Sequence, residues 1–183
     1  MLLNPASSGC LGIYYLLLNQ TAQPRLEMTM INNDILRRLR FVFDFSNAKM
    51  IKIFAKVGRE VSTEEMINLL RKEEEEGYKA CNDTTLCQFL DGLIIEKRGL
   101  REGAEIPKPV SKLNNNLIFK KLRVALEMRE EDIVATLALA EVQMSKSELS
   151  ALFRNPDHKN FKACGDQILR NFIRGLSLKY RGV

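Results

Sequence analysis

The residues best suited to covalent chemistry are Cys81 and Cys164, each set in the same short block: Lys79-Ala80-Cys81-x-Asp83 and Lys162-Ala163-Cys164-x-Asp166. Each thiol stands two residues before an Asp at which a helix can start, and the free N–H groups and dipole of a helix N-terminus favour a thiolate. Nucleophilic catalysis would also need a base within hydrogen-bond reach. The sole histidine, His158, accompanies only one of the two blocks. The structural alternative is a cysteine that fills the junction of loop and helix, with Asp83 and Asp166 acting as caps. Cys10 and Cys87 complete no CxxC pair, so neither a zinc nor a redox site is expected. The acidic run Glu73 to Glu76 reads as a solvated turn, and no phosphate-cradling glycine loop, HExxH or GxSxG motif is present. No cofactor and no metal ligand set is therefore expected.

A second chemistry is anion binding. Arg37-Arg38-x-Arg40 and Lys120-Lys121-x-Arg123 are matched basic triplets that two similar helices could present to phosphates. Residues 32–99 carry twelve cations against twelve acids, while 115–182 carry twelve against eight, so the positive excess lies in the second block. Solvated helix faces with local ion pairs are the plainer reading, because the aromatic positions coincide with apolar stripes rather than with the charges. A helix-turn-helix over Ala55 to Glu65 is disfavoured by its long join and by Glu64-Glu65 opening the reading helix.

What must position these residues is a duplicated helical unit. Sliding the chain by 83 residues lays 32–99 on 115–182 without a gap. Asn32-Asn33 meets Asn115-Asn116, Leu39-Arg40 meets Leu122-Arg123, and the cysteine blocks meet each other. Leu86, Phe89, Gly92-Leu93 and Arg98-Gly99 meet Leu169, Phe172, Gly175-Leu176 and Arg181-Gly182.

Each copy reads as about four short helices. The first begins after Asn32 or Asn33, which can cap it, and buries Ile35, Leu36, Leu39, Val42 and Phe43. The second, capped at Ser46, buries Met50, Ile51, Ile53, Phe54 and Val57 and stops at Gly58. Ser62 to Glu65 and Ser145 to Glu148 are capping boxes for the third. Tyr78 and Phe161 anchor the polar loop that follows. The last helix buries Leu86, Phe89, Leu90 and Leu93, or Leu169, Phe172, Ile173 and Leu176. Gly92 and Gly175 lie inside it, where glycine costs about 1 kcal/mol against alanine, so close approach by another helix is expected.

The chain thus divides into a repeat at 30–99, an extended connector at 100–114 carrying Gly103, Pro107 and Pro109, and a repeat at 115–183. The fold class is all-α: two units of about four short helices, packed with pseudo-twofold symmetry because a unit near 68 residues has a thin core of its own. Residues 1–29 differ in character and are expected to be an N-terminal extension outside the packed domain, translated from a start upstream of Met30, with a short segment packed on the body and a signal or anchor as the alternatives. Their apolar run, Leu11 to Leu18, falls far short of the roughly 20 residues that cross a membrane, and no cation precedes Arg25 as a secretory signal would require. The cysteine pattern suits a reducing cytoplasm.

From Met30-Ile31-Asn32-Asn33-Asp34-Ile35-Leu36-Arg37-Arg38-Leu39-Arg40 onward the chain resembles the YehS-like family of small bacterial two-repeat proteins of unknown function. Leu113-Asn114-Asn115-Asn116, Glu148 to Arg154 and Asp166 to Phe172 carry the same resemblance, which covers about 30–182. It implies a cytoplasmic two-repeat protein and brings no catalytic residues. The expectation is a non-enzymatic interaction or regulatory module whose partner is another protein. Nucleic acid or another polyanion bound through the basic helix faces is the first alternative. A small enzyme with a pocket between the repeats is the second.

Overall fold

The computed structural model describes residues 30–100 and 102–183, and the expectation for 1–29 lies outside them. Eight helices follow one another: α1 Asn32–Val42, α2 Asn47–Ala55, α3 Thr63–Leu70, α4 Asp83–Arg98, α5 Asn115–Ala125, α6 Glu130–Leu139, α7 Lys146–Leu152 and α8 Asp166–Arg181. No strand occurs among the described residues. α1 to α4 form one repeat and α5 to α8 the other.

Local chemistry sets most helix ends. Ser46 Oγ accepts from the Lys49 N–H (3.2 Å) and Ser62 Oγ from the Glu65 N–H (3.0 Å). Ser145 and Glu148 form the complete reciprocal box. In the first repeat Glu65 instead receives Arg59 (3.1 Å) and Lys79 (2.9 Å), so only half of the expected box is made. Asp44 and Glu127 take positive φ (54° and 52°) after α1 and α5, and Gly58 and Glu141 do so after α2 and α6 (73° and 61°). These pairs are equivalent under the 83-residue offset. The turns are duplicated even where glycine is not.

Most of the stripes expected from the sequence bury as a single core, while Phe43, Ile51 and Val57 are only half-buried. Leu36, Leu39, Met50, Phe54, Leu86 and Phe89 join Phe119, Leu122, Ile133, Leu137, Phe172 and Leu176 in one cluster. Within each repeat the last helix packs on the second, α4 on α2 and α8 on α6. The two helix glycines sit at those crossings. A Cβ on Gly92 would stand 2.1 Å from the Ile53 carbonyl oxygen, and one on Gly175 would stand 2.0 Å from that of Thr136.

Between repeats the packing is exchanged. α5 lies against α4 and α1 against α8, so the first helix of each repeat covers the last helix of the other. This is the pseudo-twofold arrangement. Among the described residues of the connector there is no helix or strand, and Leu100, Ala104 and Pro107 lie beside Asp91 and Ile94 of α4 at a cleft of about 270 Å³. Among the described residues no helix is long and apolar enough to cross a membrane.

Candidate functional site

The asparagine pairs opening α1 and α5 organise both cysteine blocks. Asn32 and Asn33 are not caps, because Ile31 occupies the cap position of α1. Asn33 is buried, and its Nδ2 donates to the carbonyls of Leu69 (2.9 Å) and Lys79 (2.8 Å). Its Oδ1 accepts from the Cys81 N–H (2.9 Å) and from the Tyr78 hydroxyl (3.1 Å). Asn116 repeats this with Leu152 (2.8 Å), Lys162 (2.9 Å) and the Cys164 N–H (2.9 Å). One side chain thus ties the first helix to the end of the third and to the loop before the fourth. Asn114, at the position of Ile31, is the true cap of α5 and accepts from the Leu117 N–H at 2.9 Å.

Cys81 and Cys164 are both 5% exposed and unbonded to another sulfur. Burial pushes each thiol up to about 12, the opposite of what a nucleophile needs. Asp83 and Asp166 add to the effect at their respective neighbours. Each thiol donates to a neighbouring carbonyl, Cys81 to that of Asn82 (3.9 Å) and Cys164 to that of Gly165 (3.8 Å), and the backbone of Leu169 also hydrogen-bonds Cys164, which only partly offsets the effect of burial. The geometry favours the filling role for both residues.

Asp83 and Asp166 are not caps, because Asn82 and Gly165 hold the cap positions of α4 and α8; the aspartates instead clasp the two repeats together. Asp83 accepts from Asn32 Nδ2 (2.8 Å) and from the N–H of Leu113, which leads into α5 (2.9 Å). Asp166 accepts from Asn115 Nδ2 (2.6 Å) and from the N–H of Met30, which leads into α1 (3.1 Å). Met30 and Leu113 are equivalent under the offset, so each aspartate holds the lead-in of the other repeat. His158 is exposed and its Nδ1 accepts from the Asn160 N–H (3.0 Å). Glu73 to Glu76 are exposed as expected, and among the described residues no group of three or more His, Cys, Asp or Glu side chains could hold a metal.

The basic triplets do not make one matched surface. Arg37 donates to the Arg71 carbonyl (2.6 Å) and pairs with Asp34. Lys121 pairs with Asp91, a carboxylate 3% exposed that also receives the Cys87 thiol at 3.4 Å. Arg123 donates to the Met128 carbonyl (3.3 Å) and lies 4.8 Å over the Phe153 ring. Arg38, Arg40 and Lys120 remain exposed.

Two seams join the repeats, and they differ. Arg98 meets Glu127 (3.0 Å) on the α4–α5 seam, and their equivalents Arg181 and Asp44 meet (3.1 Å) on the α1–α8 seam. The counterparts of Lys121 and Asp91, however, are Arg38 and Arg174. Both are exposed arginines with no hydrogen-bond or ion-pair partner among the described residues. Phe41 and Tyr180 are 49% and 48% exposed on the same two helices, with the Arg181 guanidinium 5.3 Å over Phe41 and Tyr180 beside Phe43 at 5.7 Å. Aromatic and cationic side chains therefore interleave here, against the expectation that aromatics follow the core stripes. Arg174 was not singled out in the sequence; its signal was the replacement of an acid by a base at an otherwise repeated position.

A family model described as "Protein of unknown function (DUF1456)" matches residues 32–99 and again 115–182. "Uncharacterized protein YehS" of Escherichia coli (strain K12) is 44% identical over 150 residues, covering 82% of this chain and 96% of that relative. No solved structure matches the chain.

Proposed function

The chain belongs to the family described as protein of unknown function (DUF1456), and from the surface its fold leaves uncommitted we propose that it is a cytoplasmic, non-enzymatic interaction module. It docks an acidic partner protein through the α1–α8 seam. One observation carries this reading: where the α4–α5 seam closes a Lys121–Asp91 pair, the α1–α8 seam leaves Arg38 and Arg174 exposed on the two helices that also carry exposed Phe41 and Tyr180. Arginine and aromatic residues are enriched where proteins meet, and two like charges with no acid between them favour a partner that supplies it. The residues with catalytic chemistry support the same view, since the thiols are buried and the aspartates are engaged in clasping the repeats. Free buried thiols accord with a reducing compartment.

Affinity purification from bacterial cytosol, followed by cross-linking, tests it. The expected outcome is one stoichiometric protein cross-linked near Phe41 or Tyr180, bound at least tenfold more weakly by Arg38→Glu/Arg174→Glu and retained by Lys159→Glu. A partner indifferent to the double reversal would sink the proposal. The same cations and exposed rings also suit nucleic acid. Saturable binding of an oligonucleotide, lost in the double reversal, would favour that reading over a protein.

A further inference from the structure

The two repeats differ at one further place, and the difference opens a cavity. Beside the start of α5 and the end of α7 lies a cleft of about 420 Å³, lined by Leu117, Lys120, Phe153, Arg154, Pro156 and Phe161. Its size falls within the range of roughly 300 to 1,000 Å³ typical of small-molecule sites. The equivalent residues in the first repeat are Asp34, Arg37, Leu70, Arg71, Glu73 and Tyr78. There the chain supplies its own occupant. Arg37 reaches the Arg71 carbonyl at 2.6 Å and is held by Asp34, while the Tyr78 hydroxyl reaches Asn33.

Each of those contacts is removed in the second repeat. The Leu117 side chain has no acceptor, Lys120 is exposed to solvent, and Phe161 has no hydroxyl. Asn116 nevertheless keeps its bonds to Leu152, Lys162 and Cys164, so the frame around the cleft is intact. The aromatic wall is fixed as well: Phe153 packs on Phe119 at 5.3 Å with Arg123 over its face. Lys120 and Arg154 have no hydrogen-bond or ion-pair partner among the described residues. The result is an apolar floor with two uncommitted cations at its rim.

We propose that this cleft is a binding site for a small organic anion: an aliphatic or aromatic body bearing one carboxylate or phosphate group. The body lies on Leu117, Phe153 and Phe161, excluding water from apolar surface, and the anionic group reaches Lys120 and Arg154. Arg154 can meet a carboxylate or phosphate with two parallel N–H donors, while Lys120 contributes a point charge. The site is separate from the α1–α8 seam, so neither proposal depends on the other.

The test is titration of the full chain, labelled with nitrogen-15, with 3-phenylpropionate, octanoate and phenyl phosphate, and with neutral 3-phenylpropanamide. Expected are saturable amide shifts at Leu117, Lys120, Phe153 and Phe161 with at least one anion. The carboxylate and phosphate arms tell which head group is preferred, and the amide should bind about tenfold more weakly, as loss of roughly 1.4 kcal/mol of charge recognition implies. Leu117→Asp/Lys120→Arg rebuilds the pair that occupies the first repeat and should abolish the shifts. Should that variant lose its cooperative melt, Lys120→Ala/Arg154→Ala provides the same readout at surface positions, with an expected loss of at least tenfold. No saturable shift with any anion, equal affinity for the amide, or unchanged binding by a folded variant would each overturn the site.

Discussion

Asn33 and Cys81 show how a residue's type suggests one role while its neighbours assign another. An asparagine before an apolar stripe is a good helix cap by local rules. Here, however, three backbone groups have no partner in regular structure: the buried carbonyl of Leu69, the buried N–H of Cys81 and the part-buried carbonyl of Lys79. A single carboxamide satisfies all three. An unsatisfied buried group costs about 1–3 kcal/mol, so this use outweighs a cap of roughly 1 kcal/mol. The thiols follow from the same frame. Cys81 and Cys164 rise from an ordinary value of 9.0 to about 12 because burial disfavours the thiolate. Below pH 9 both folded and unfolded states hold the proton and this stabilisation is complete. Between pH 9 and 12 only the unfolded state releases it, so stability falls by about 1.4 kcal/mol per pH unit for each thiol. Urea titrations at pH 8, 9.5 and 10.5 (values chosen roughly to straddle that window) should therefore show a steeper alkaline decline for the natural chain than for Cys81→Ala/Cys164→Ala. Parallel slopes would show that the thiols titrate normally and reopen a reactive role.

Helices were the most legible level because their signals are local. Apolar spacing at Leu36, Leu39, Val42 and at Leu86, Phe89, Leu93 selects one face. Serine caps at 46, 62 and 145 mark starts, and the 83-residue offset lets each copy check the other. The half-made box at Ser62 was not legible, since Glu65 is drawn away by Lys79 and Arg59, residues distant in sequence. Those hydrogen bonds, Lys79 first, hold the Glu65 carboxyl below its usual range against the opposing effect of desolvation. Glycines at 92 and 175 were legible as points of close approach, though not which helix approaches. The contact is with backbone oxygen in both cases, which cannot rotate aside as a side-chain tip can. Gly92→Ala and Gly175→Ala should each cost about 3 kcal/mol through displacement of α2 or α6, despite the better helix propensity of alanine. Chemical denaturation measures the cost, and a gain in stability for either variant would mean that the crossing is looser than its geometry.

At the scale of the molecule, the duplication was legible but the exchange between copies was not. A stripe says which face is buried and is silent on whether the covering helix comes from the same repeat or the other. Likewise, the open cleft and the α1–α8 seam depend on differences between copies, whose consequences appear only once Arg37 and Asp34, or Lys121 and Asp91, are brought together. The exchange makes a definite demand on folding. Separating the repeats removes α5 from α4 and α1 from α8, and strips both clasps, Asp83 to Leu113 and Asp166 to Met30. A unit of this size buries only about 60% of its unfolded surface even when intact. Fragments 30–107 and 108–183 should therefore show little cooperative melting alone at low concentration, whereas mixing them should restore a sigmoidal transition whose midpoint rises with concentration, as linkage to association requires. Each half could also pair with a second copy of itself, since the two repeats present similar first and last helices. Such homodimers would melt with the same concentration dependence, so they obey the same physics. A fragment that unfolds cooperatively as a monomer would refute the shared core, because its α1 or α5 face would then have found cover within its own repeat.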